Sequence, residues 1–382
     1  MQSGEETRQN VEGGIETEGL TNNPLTHNDL SERIDPITVL EASPTGRIYS
    51  YGTENGLVHL FDLHQDRLFK TLTSQDSLSI EQISWSYDGK YLCFSDTDRM
   101  VFIISVTTDD RSPELVVVTK AEVSVRNITK GPITQLLFRP DLSCLLVSTS
   151  NTVHTISLIS FSIVHSAELR IAECKWIVHP QNPELIIGFG PEHTQVLGWD
   201  LIEKQFYITW LAGSSEQLKV DQVIATQDKR HILVQKSHRD NNVTEKGHHY
   251  FETSKLSTPS PLRVPAVLPQ DISSEIVLPL SFQSDNRLIF LSRNFSICSW
   301  KIPSDSGRFI VASRPRPNNN IDTPTSSASS VTPEKEFEEL FSLPWDSTSR
   351  DNLSLCAVWG KEKSFLYPRN GEVVVVRCEV LG

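Results

Sequence analysis

Residues 37–72 read ITVLEASPTGRIYSYGTENGLVHLFDLHQDRLFKTL, and this stretch decides the fold. Four apolar runs are separated by turn-forming residues at Pro44-Thr45-Gly46, Glu54-Asn55-Gly56 and His64-Gln65-Asp66. Short apolar runs divided by Gly, Pro, Asn and Asp are typical of β-strands joined by tight turns. The stretch therefore predicts a meander of four antiparallel strands.

The same plan recurs along the chain. Residues 80–106 read IEQISWSYDGKYLCFSDTDRMVFIISV, and their Asp88-Gly89 turn places Gly89 43 residues after Gly46. Further copies are predicted with first strands near 132–138, 173–178, 220–226, 276–282 and 353–359. A single four-stranded sheet cannot bury both of its faces, so neighbouring copies must cover it. Seven copies predict an all-β fold, a β-propeller of seven blades.

Three segments do not fit the repeat. Residues 1–35 hold eight acidic side chains against two arginines, which predicts a disordered acidic tail ahead of a propeller over residues 36–382. Residues 237–275 and 313–336 are polar and rich in Pro, Ser or Thr, and they are predicted to be long mobile insertions in the ring.

Composition narrows the range of partners. The 35 basic and 48 acidic residues give a net charge of −13, which opposes the electrostatic attraction that dominates nucleic-acid binding. The chain has neither an apolar window of about 18 residues nor a basic and apolar leader, so we expect a cytoplasmic protein without membrane contact. Six widely spaced cysteines, mostly inside apolar runs, are expected to be buried reduced thiols.

Several motifs resemble those of a known family. Trp85-Ser86-Tyr87-Asp88-Gly89-Lys90 resembles the first-turn signature of WD repeats, and Phe61-Asp62 and Trp199-Asp200 resemble the Trp-Asp ends of their third strands. Residues 343–378, LPWDSTSRDNLSLCAVWGKEKSFLYPRNGEVVVVRC, resemble the C-terminal end of fungal NACHT and WD-repeat proteins of the vegetative-incompatibility type. The resemblance implies a WD40 propeller that senses a ligand or partner for a nucleotide-switched module.

The sequence departs from this family in two respects. No G-x-x-x-x-G-K-[ST] phosphate loop occurs, so nucleotide switching is not carried over and no nucleotide is expected to bind. The Gly-His dipeptide that usually opens a WD repeat is missing from the expected connections. Apolar packing is therefore expected to hold the blades together in place of the family's His-Ser-Asp-Trp hydrogen bonds.

Catalytic and metal-binding patterns are missing from the sequence. The nearest candidates for a metal site, His231, His238, His248 and His249, match no ligand spacing and are predicted to be solvated loop histidines. No G-x-S-x-G nucleophile motif occurs, and five tryptophans in predicted strands are expected to pack in the core. The chain is therefore predicted to have no enzymatic activity, no cofactor and no metal.

A ring of turn residues is the candidate interaction surface. The predicted turns between second and third strands contain Asn55, Asp98, Asn151, His193, Asn294 and Asn370. In a closed ring these residues would project from one face, around the channel, where a protein or peptide partner could bind. Each is also explained by turn chemistry alone, because Asn and Asp tolerate the positive φ of a tight hairpin.

Two other interpretations stay open. The channel could serve an enzyme or a small-molecule sensor, with lining residues at alternate positions such as Ile37, Val39 and Glu41 or Ile80, Gln82 and Ser84. Alternatively the ring could be degenerate and open, because the last copy lacks a clear fourth strand.

Overall fold

The structure is a computed structural model, and it describes residues 35–108, 115–169, 173–191, 193–208, 218–240, 243–256, 266–283, 285–302, 337–343, 355–359, 363–369 and 371–377. Residues 1–34 of the predicted tail and the predicted insertion at 313–336 lie outside these ranges. All described strands belong to seven antiparallel sheets, as the repeat predicts.

Blades 1 to 3 each contain four strands in sequential order. Blade 1 consists of β1 Ile37–Ala42, β2 Ile48–Thr53, β3 Leu57–Asp62 and β4 Arg67–Thr73. Blade 2 consists of β5 Ile80–Trp85, β6 Tyr91–Asp96, β7 Met100–Thr108 and β8 Leu115–Ser124, after a 3-10 turn at Gln75–Ser77. Blade 3 consists of β9 Ile133–Phe138, β10 Cys144–Thr149, β11 Thr152–Ser157 and β12 Ile163–Glu168.

Blades 4 to 7 complete the set. Blade 4 consists of β13 Lys175–Val178, β14 Leu185–Phe189, β15 His193–Gly198 and β16 Glu203–Ile208. Blade 5 consists of β17 Leu218–Ala225, β18 His231–Asp240, β19 Val243–Glu252 and β20 Ala266–Val267, with a 3-10 turn at Thr253–Leu256. A short helix, α1 Gln270–Glu275, leads to blade 6, with β21 Ile276–Phe282, β22 Arg287–Ser292, β23 Ser296–Lys301 and β24 Glu338–Ser342. The described strands of blade 7 are β25 Ala357–Trp359, β26 Ser364–Arg369 and β27 Glu372–Arg377.

The seven blades form a closed ring. Each innermost strand contacts the innermost strand of the next blade, and β25 of the last blade contacts β1 of the first. Across this closure Leu366 of blade 7 packs in one buried cluster with Leu40, Tyr49 and Leu63 of blade 1. The open-ring interpretation is therefore wrong, although only three strands of blade 7 fall within the described residues.

Apolar clusters fill the junctions between blades. The junction of blades 1 and 2, for example, buries Val58 and Leu60 against Ile80, Trp85 and Phe94. The other six junctions hold comparable clusters. The tryptophans whose side chains are described are all buried, as predicted, because the rings fill the space between facing sheets: Trp85, Trp176, Trp199 and Trp300.

Hydrogen bonds also join the blades, which the prediction of apolar packing alone missed. The indole of Trp85 donates to Ser50 Oγ of the preceding blade at 2.9 Å, and the indole of Trp176 donates to Ser148 Oγ at 3.0 Å. Both bonds are buried. They give each large ring a polar anchor in an otherwise apolar junction.

The predicted insertion at residues 237–275 is wrong for most of its length. Strands β18 and β19 pair continuously from His231 with Glu252 to Asp240 with Val243, so this region is the central hairpin of blade 5. The prediction failed because a paired strand with many polar residues has nearly the same composition as a loop. Residues 257–265 of this segment lie outside the described ranges.

The described cysteines are free thiols. Cys93, Cys144, Cys174 and Cys298 are buried and Cys356 is partly buried, in agreement with the sequence. Within the ranges that the structure describes, no helix is long and apolar enough to cross a membrane.

Candidate binding site at the channel mouth

A cavity of about 740 Å³ lies where the inner strands begin. Thr38 of β1, Glu81 of β5, Thr134 of β9, Lys175 of β13 and Lys219 of β17 all line it. Five consecutive inner strands can reach one cavity only around the axis of the ring, so this is the mouth of the central channel. Its volume is within the range of small-ligand and peptide sites.

Beta-bulges supply many of the lining residues. In β1, β5, β9, β17 and β21 the register with the neighbouring strand skips the second residue of the repeat: Thr38, Glu81, Thr134, Asp221 and Val277. A bulge leaves one residue unpaired and redirects its side chain. The bulges therefore take one residue per strand out of the blade junctions, and three of these residues line the cavity.

These bulges correct the predicted channel lining. Alternation alone placed Ile37 and Ile80 toward the channel; Ile37 is buried in the core, whereas Ile80 is buried but also lines the cavity, as predicted. Their neighbours Thr38 and Glu81 line the cavity, because the extra residue shifts the alternation by one position. Gln82 lines the cavity as predicted.

Charged groups of both signs surround the cavity. Glu81 accepts a hydrogen bond from the amide of Ile133 in the next blade at 3.2 Å, and burial raises the pKa of its carboxyl group. Glu173 lies in the connection before β13 and is exposed. Burial lowers the pKa of Lys175, the positive charge of Lys219 lowers it further, and Asp221 acts in the opposite direction. The mouth is thus polar and suited to a ligand with hydrogen-bonding or charged groups.

One buried pair at the cavity wall resembles part of a catalytic dyad. His193 Nε2 lies 3.5 Å from the Sγ of Cys174, and Gln195 Nε2 donates to the same sulfur at 3.3 Å. Burial raises the pKa of Cys174 to about 12 and lowers that of His193 to about 4. Thiol and imidazole are both neutral at pH 7, whereas a nucleophilic cysteine must be a thiolate. The pair has the properties of a packed core contact.

None of the predicted rim residues that the structure describes is among the residues that line the cavity. Asn55, Asn151 and Asn294 are exposed and lie in the turns between second and third strands, as predicted. Asp98 is partly buried and forms an ion pair with Arg126. Asn370 lies outside the described residues.

His193 differs from the other predicted rim residues. It is the first residue of β15 and is 1% exposed. The ring stacks on Phe206 at 5.4 Å between centroids. Asn55 and Asp98 stand two positions after the end of the preceding strand, whereas His193 stands four positions after Phe189, the end of β14. His193 therefore falls inside the sheet and not on the rim.

The reason given for Asn and Asp in these turns also needs correction. The positive φ belongs to the following residue, with values of 79° at Gly56, 63° at Arg99 and 58° at Phe295. Each of these residues donates its amide to the carbonyl three positions earlier, as in Gly56 to Thr53 at 3.2 Å. The turn is therefore a β-turn followed by a left-handed residue, a common hairpin connection.

Three of the four histidines singled out in the sequence, His231, His248 and His249, are not solvated loop residues. His248 and His249 are 0% and 3% exposed within β19, and His231 stacks on Tyr250 at 4.7 Å. The side chain of His238 lies outside what the structure describes. Burial lowers the pKa of His248 to about 4 and that of His249 to about 3, with further contributions from nearby lysines. In the described part of the chain, no three His, Cys, Asp or Glu side chains form a group that could hold a metal ion.

Comparison with known families agrees with this architecture. The model of the anaphase-promoting complex subunit 4 WD40 domain matches residues 40–128, which span blades 1 and 2. Comparison with curated proteins gave no match. The seven-bladed ring and the family match together support a WD40-type β-propeller.

Proposed function

We propose that this propeller is a protein-interaction scaffold that binds a segment of a partner protein at the channel mouth. The observation behind this proposal is the polar cavity of about 740 Å³ on the axis, held open by bulged residues of consecutive blades. Rigid propellers present their loops and channel mouth as binding surfaces, whereas the junctions between blades are filled by apolar side chains. The family matched over residues 40–128 is named for a subunit of a multiprotein complex, which is consistent with a binding role.

The proposal includes four of the rim residues. We include Asn55, Asp98, Asn151 and Asn294 in the proposed surface. One observation supports this choice: the turn at Gly56 packs against the connection that leads into β5, where that inner strand begins. A partner segment that enters the cavity would contact these turns as well. Neither nucleic acid, nor nucleotide, nor membrane is part of the proposal, because the net charge of −13 opposes anionic surfaces.

We also propose a cellular setting from the sequence resemblance. Residues 343–378 resemble the ends of fungal NACHT and WD-repeat proteins, so the propeller would act in the cytoplasm as the sensing part of a signalling protein of that type. The 382 residues contain no phosphate-loop motif, and the nucleotide-binding module would lie outside them. An in-frame phosphate-loop domain in the surrounding genomic sequence would support this setting, and an unrelated neighbouring reading frame would count against it.

A small-molecule sensor is the second candidate. The cavity is polar, has the volume of a ligand pocket and is lined by two carboxyl and two ammonium groups, Glu81, Glu173, Lys175 and Lys219. A cysteine nucleophile at this site is disfavoured, because burial raises the pKa of Cys174 to about 12 and lowers that of His193 to about 4.

Site-specific photo-crosslinking tests the proposal in living cells. Benzoylphenylalanine replaces Thr134, which lines the cavity, and in the control chain it replaces Lys120, which is exposed on the outer strand β8. We expect a protein adduct from position 134 that is not formed from position 120. A small-molecule adduct at position 134 alone would favour the sensor. Identical adducts at both positions, or none at position 134, would overturn the role of the channel mouth.

A further inference from the structure

Two lysines of adjacent blades share one wall of the cavity. Lys175 is the first residue of β13, and Lys219 is the second residue of β17. Both line the cavity at the mouth of the channel. Their charges are close enough for Lys219 to disfavour the protonated form of Lys175. The wall therefore brings together two like charges that repel each other.

Neither lysine has a protein partner among the residues that the structure describes. No hydrogen bond and no ion pair within 4.0 Å involves either ammonium group there. Lys175 is partly buried, so its charge has lost part of its hydration, and the opposing effect of Asp221 leaves the pKa lowered. A desolvated charge without a partner is costly, and proteins usually retain one where a ligand completes the site.

Three charged residues of blade 5 near these lysines have hydrogen-bond partners in the protein: Asp221, Lys236 and Lys246. Lys236 donates to the carbonyl oxygen of Pro191 at 2.6 Å, and Lys246 donates to that of Val277 at 2.6 Å. Asp221 is the acid that favours the charged form of Lys175, and its Oδ1 accepts a hydrogen bond from Ser237 at 3.1 Å. Lys175 and Lys219 are the lysines that line the cavity, in a chain of net charge −13.

We propose that Lys175 and Lys219 together bind one anionic group of the partner segment, a carboxylate or a phosphoryl group. The inference rests on the proposed function, in which a segment of a partner enters the channel mouth. Ammonium groups act as point charges without the fixed fork of arginine, so both kinds of oxyanion satisfy the same pair. Glu81 and Glu173 line the same cavity and repel further negative charge, which limits the ligand to a single anionic group.

Binding of oriented peptide pools tests the inference with the full chain. Four pools of random decapeptides carry Glu, phosphoserine, Gln or Lys at the central position, and retention on the immobilised protein is measured for each. The test variants are Lys175→Glu with Lys219→Glu, and Lys175→Gln alone, which leaves no reversed charge. The control variant is Lys70→Glu with Lys120→Glu, two exposed lysines of the outer strands β4 and β8. Circular dichroism and thermal unfolding confirm that each variant is folded.

We expect the native chain and the control to retain the Glu or phosphoserine pool about tenfold more than the Gln pool, and to lose this preference as salt rises. The double reversal removes the preference and Lys175→Gln reduces it. Stronger retention of the phosphoserine pool than of the Glu pool would identify a phosphoryl group, and the reverse order would identify a carboxylate. Equal retention of all pools would overturn the anionic site and leave peptide binding intact. Retention of no pool above an unrelated propeller would overturn the proposed function as well.

Discussion

Replacing Gln135 with leucine should weaken the contact between blades 3 and 4. The side chain of Gln135 in β9 reaches the inner edge of β13, where its Oε1 accepts from the amide of Trp176 at 2.7 Å and its Nε2 donates to the carbonyl oxygen of Trp176 at 2.7 Å. One side chain thereby satisfies both backbone groups of a residue that is 1% exposed. Leucine keeps the approximate volume and removes both bonds.

The size of the effect follows from the two bonds. Each hydrogen bond contributes about 1 kcal/mol net, and leaving a buried backbone group unpaired costs about 1–3 kcal/mol. Because Trp176 is left with two unpaired groups and water can reach them in part from the channel, we expect Gln135→Leu to lower the free energy of unfolding by about 2–4 kcal/mol. For a domain of this size that corresponds to a fall in Tm of roughly 2 °C per kcal/mol.

Gln82 provides a matched control. It occupies the same position in β5, one blade earlier, and lines the cavity, but its side chain makes no hydrogen bond within the described residues. Gln82→Leu should therefore change the free energy of unfolding by less than about 0.5 kcal/mol.

Urea unfolding followed by tryptophan fluorescence measures both variants, and an unchanged slope with denaturant shows that the transitions are comparable. If Gln135→Leu and Gln82→Leu differ by less than about 0.5 kcal/mol, the bridge does not stabilise the ring and the reasoning is refuted.

Three further predictions concern the rest of the ring. Asp62 is 1% exposed, pairs with Arg47 at 2.7 Å and accepts from the amides of His64 and Gln65, so Asp62→Ala should cost about 3 kcal/mol in urea unfolding. The corresponding change of the exposed Asp200, at the aligned position of blade 4, should cost less than about 1 kcal/mol; equal costs would contradict the role of burial. Burial lowers the pKa of His249 to about 3 in the folded chain, whereas the pKa in the unfolded chain is roughly 6.5. The stability that depends on the neutral ring is therefore complete above about pH 6.5 and is lost as the pH falls from about 6.5 toward 3. His249→Phe should therefore lose less stability between pH 7 and pH 5 than the native chain, and an unchanged difference between the two pH values would argue against a buried neutral histidine. In limited trypsin digestion, Lys246 within the β18–β19 hairpin should be cut no faster than Lys120 in β8, whereas rapid cutting after Lys246 would restore the loop predicted for residues 237–275.

Local chemistry explains why much of the fold was predictable. Turn residues such as Gly46 and Gly89, spaced by 43 residues, mark the same hairpin in successive blades, and apolar runs between turns form strands in any context that buries them. The predicted first strands coincide closely with β9, β13, β17 and β21. The prediction failed for residues 237–240 and 243–252, because the alternation of a paired polar strand is weak in sequence.

The candidate site was predicted less well. The sequence directed attention to the turn residues, of which Asn55, Asn151 and Asn294 are indeed exposed, whereas His193 is buried beside Cys174. The cavity is lined by residues of the inner strands, and Lys175 and Lys219 stand 44 positions apart in the chain. A signal was present near the start of the first strands of blades 1 to 5, where a polar residue directly follows an apolar one: Thr38, Glu81, Thr134, Lys175 and Asp221. Whether these polar side chains reach the channel depends on the bulges, and no local pattern in the sequence reveals a bulge.

The sequence by itself determined the seven repeats, the strand order within each blade and the apolar faces, because these depend on turn chemistry and on the two-residue period of a strand. Only the tertiary structure decided that β25 meets β1, that Gln135 bridges to Trp176 and that Lys175 faces Lys219 without a partner in the described chain. These contacts join residues of different blades, and their geometry follows from ring closure and from the one-residue shift at each bulge. Ring closure and bulge position are properties of the packed assembly, so no single repeat contains them.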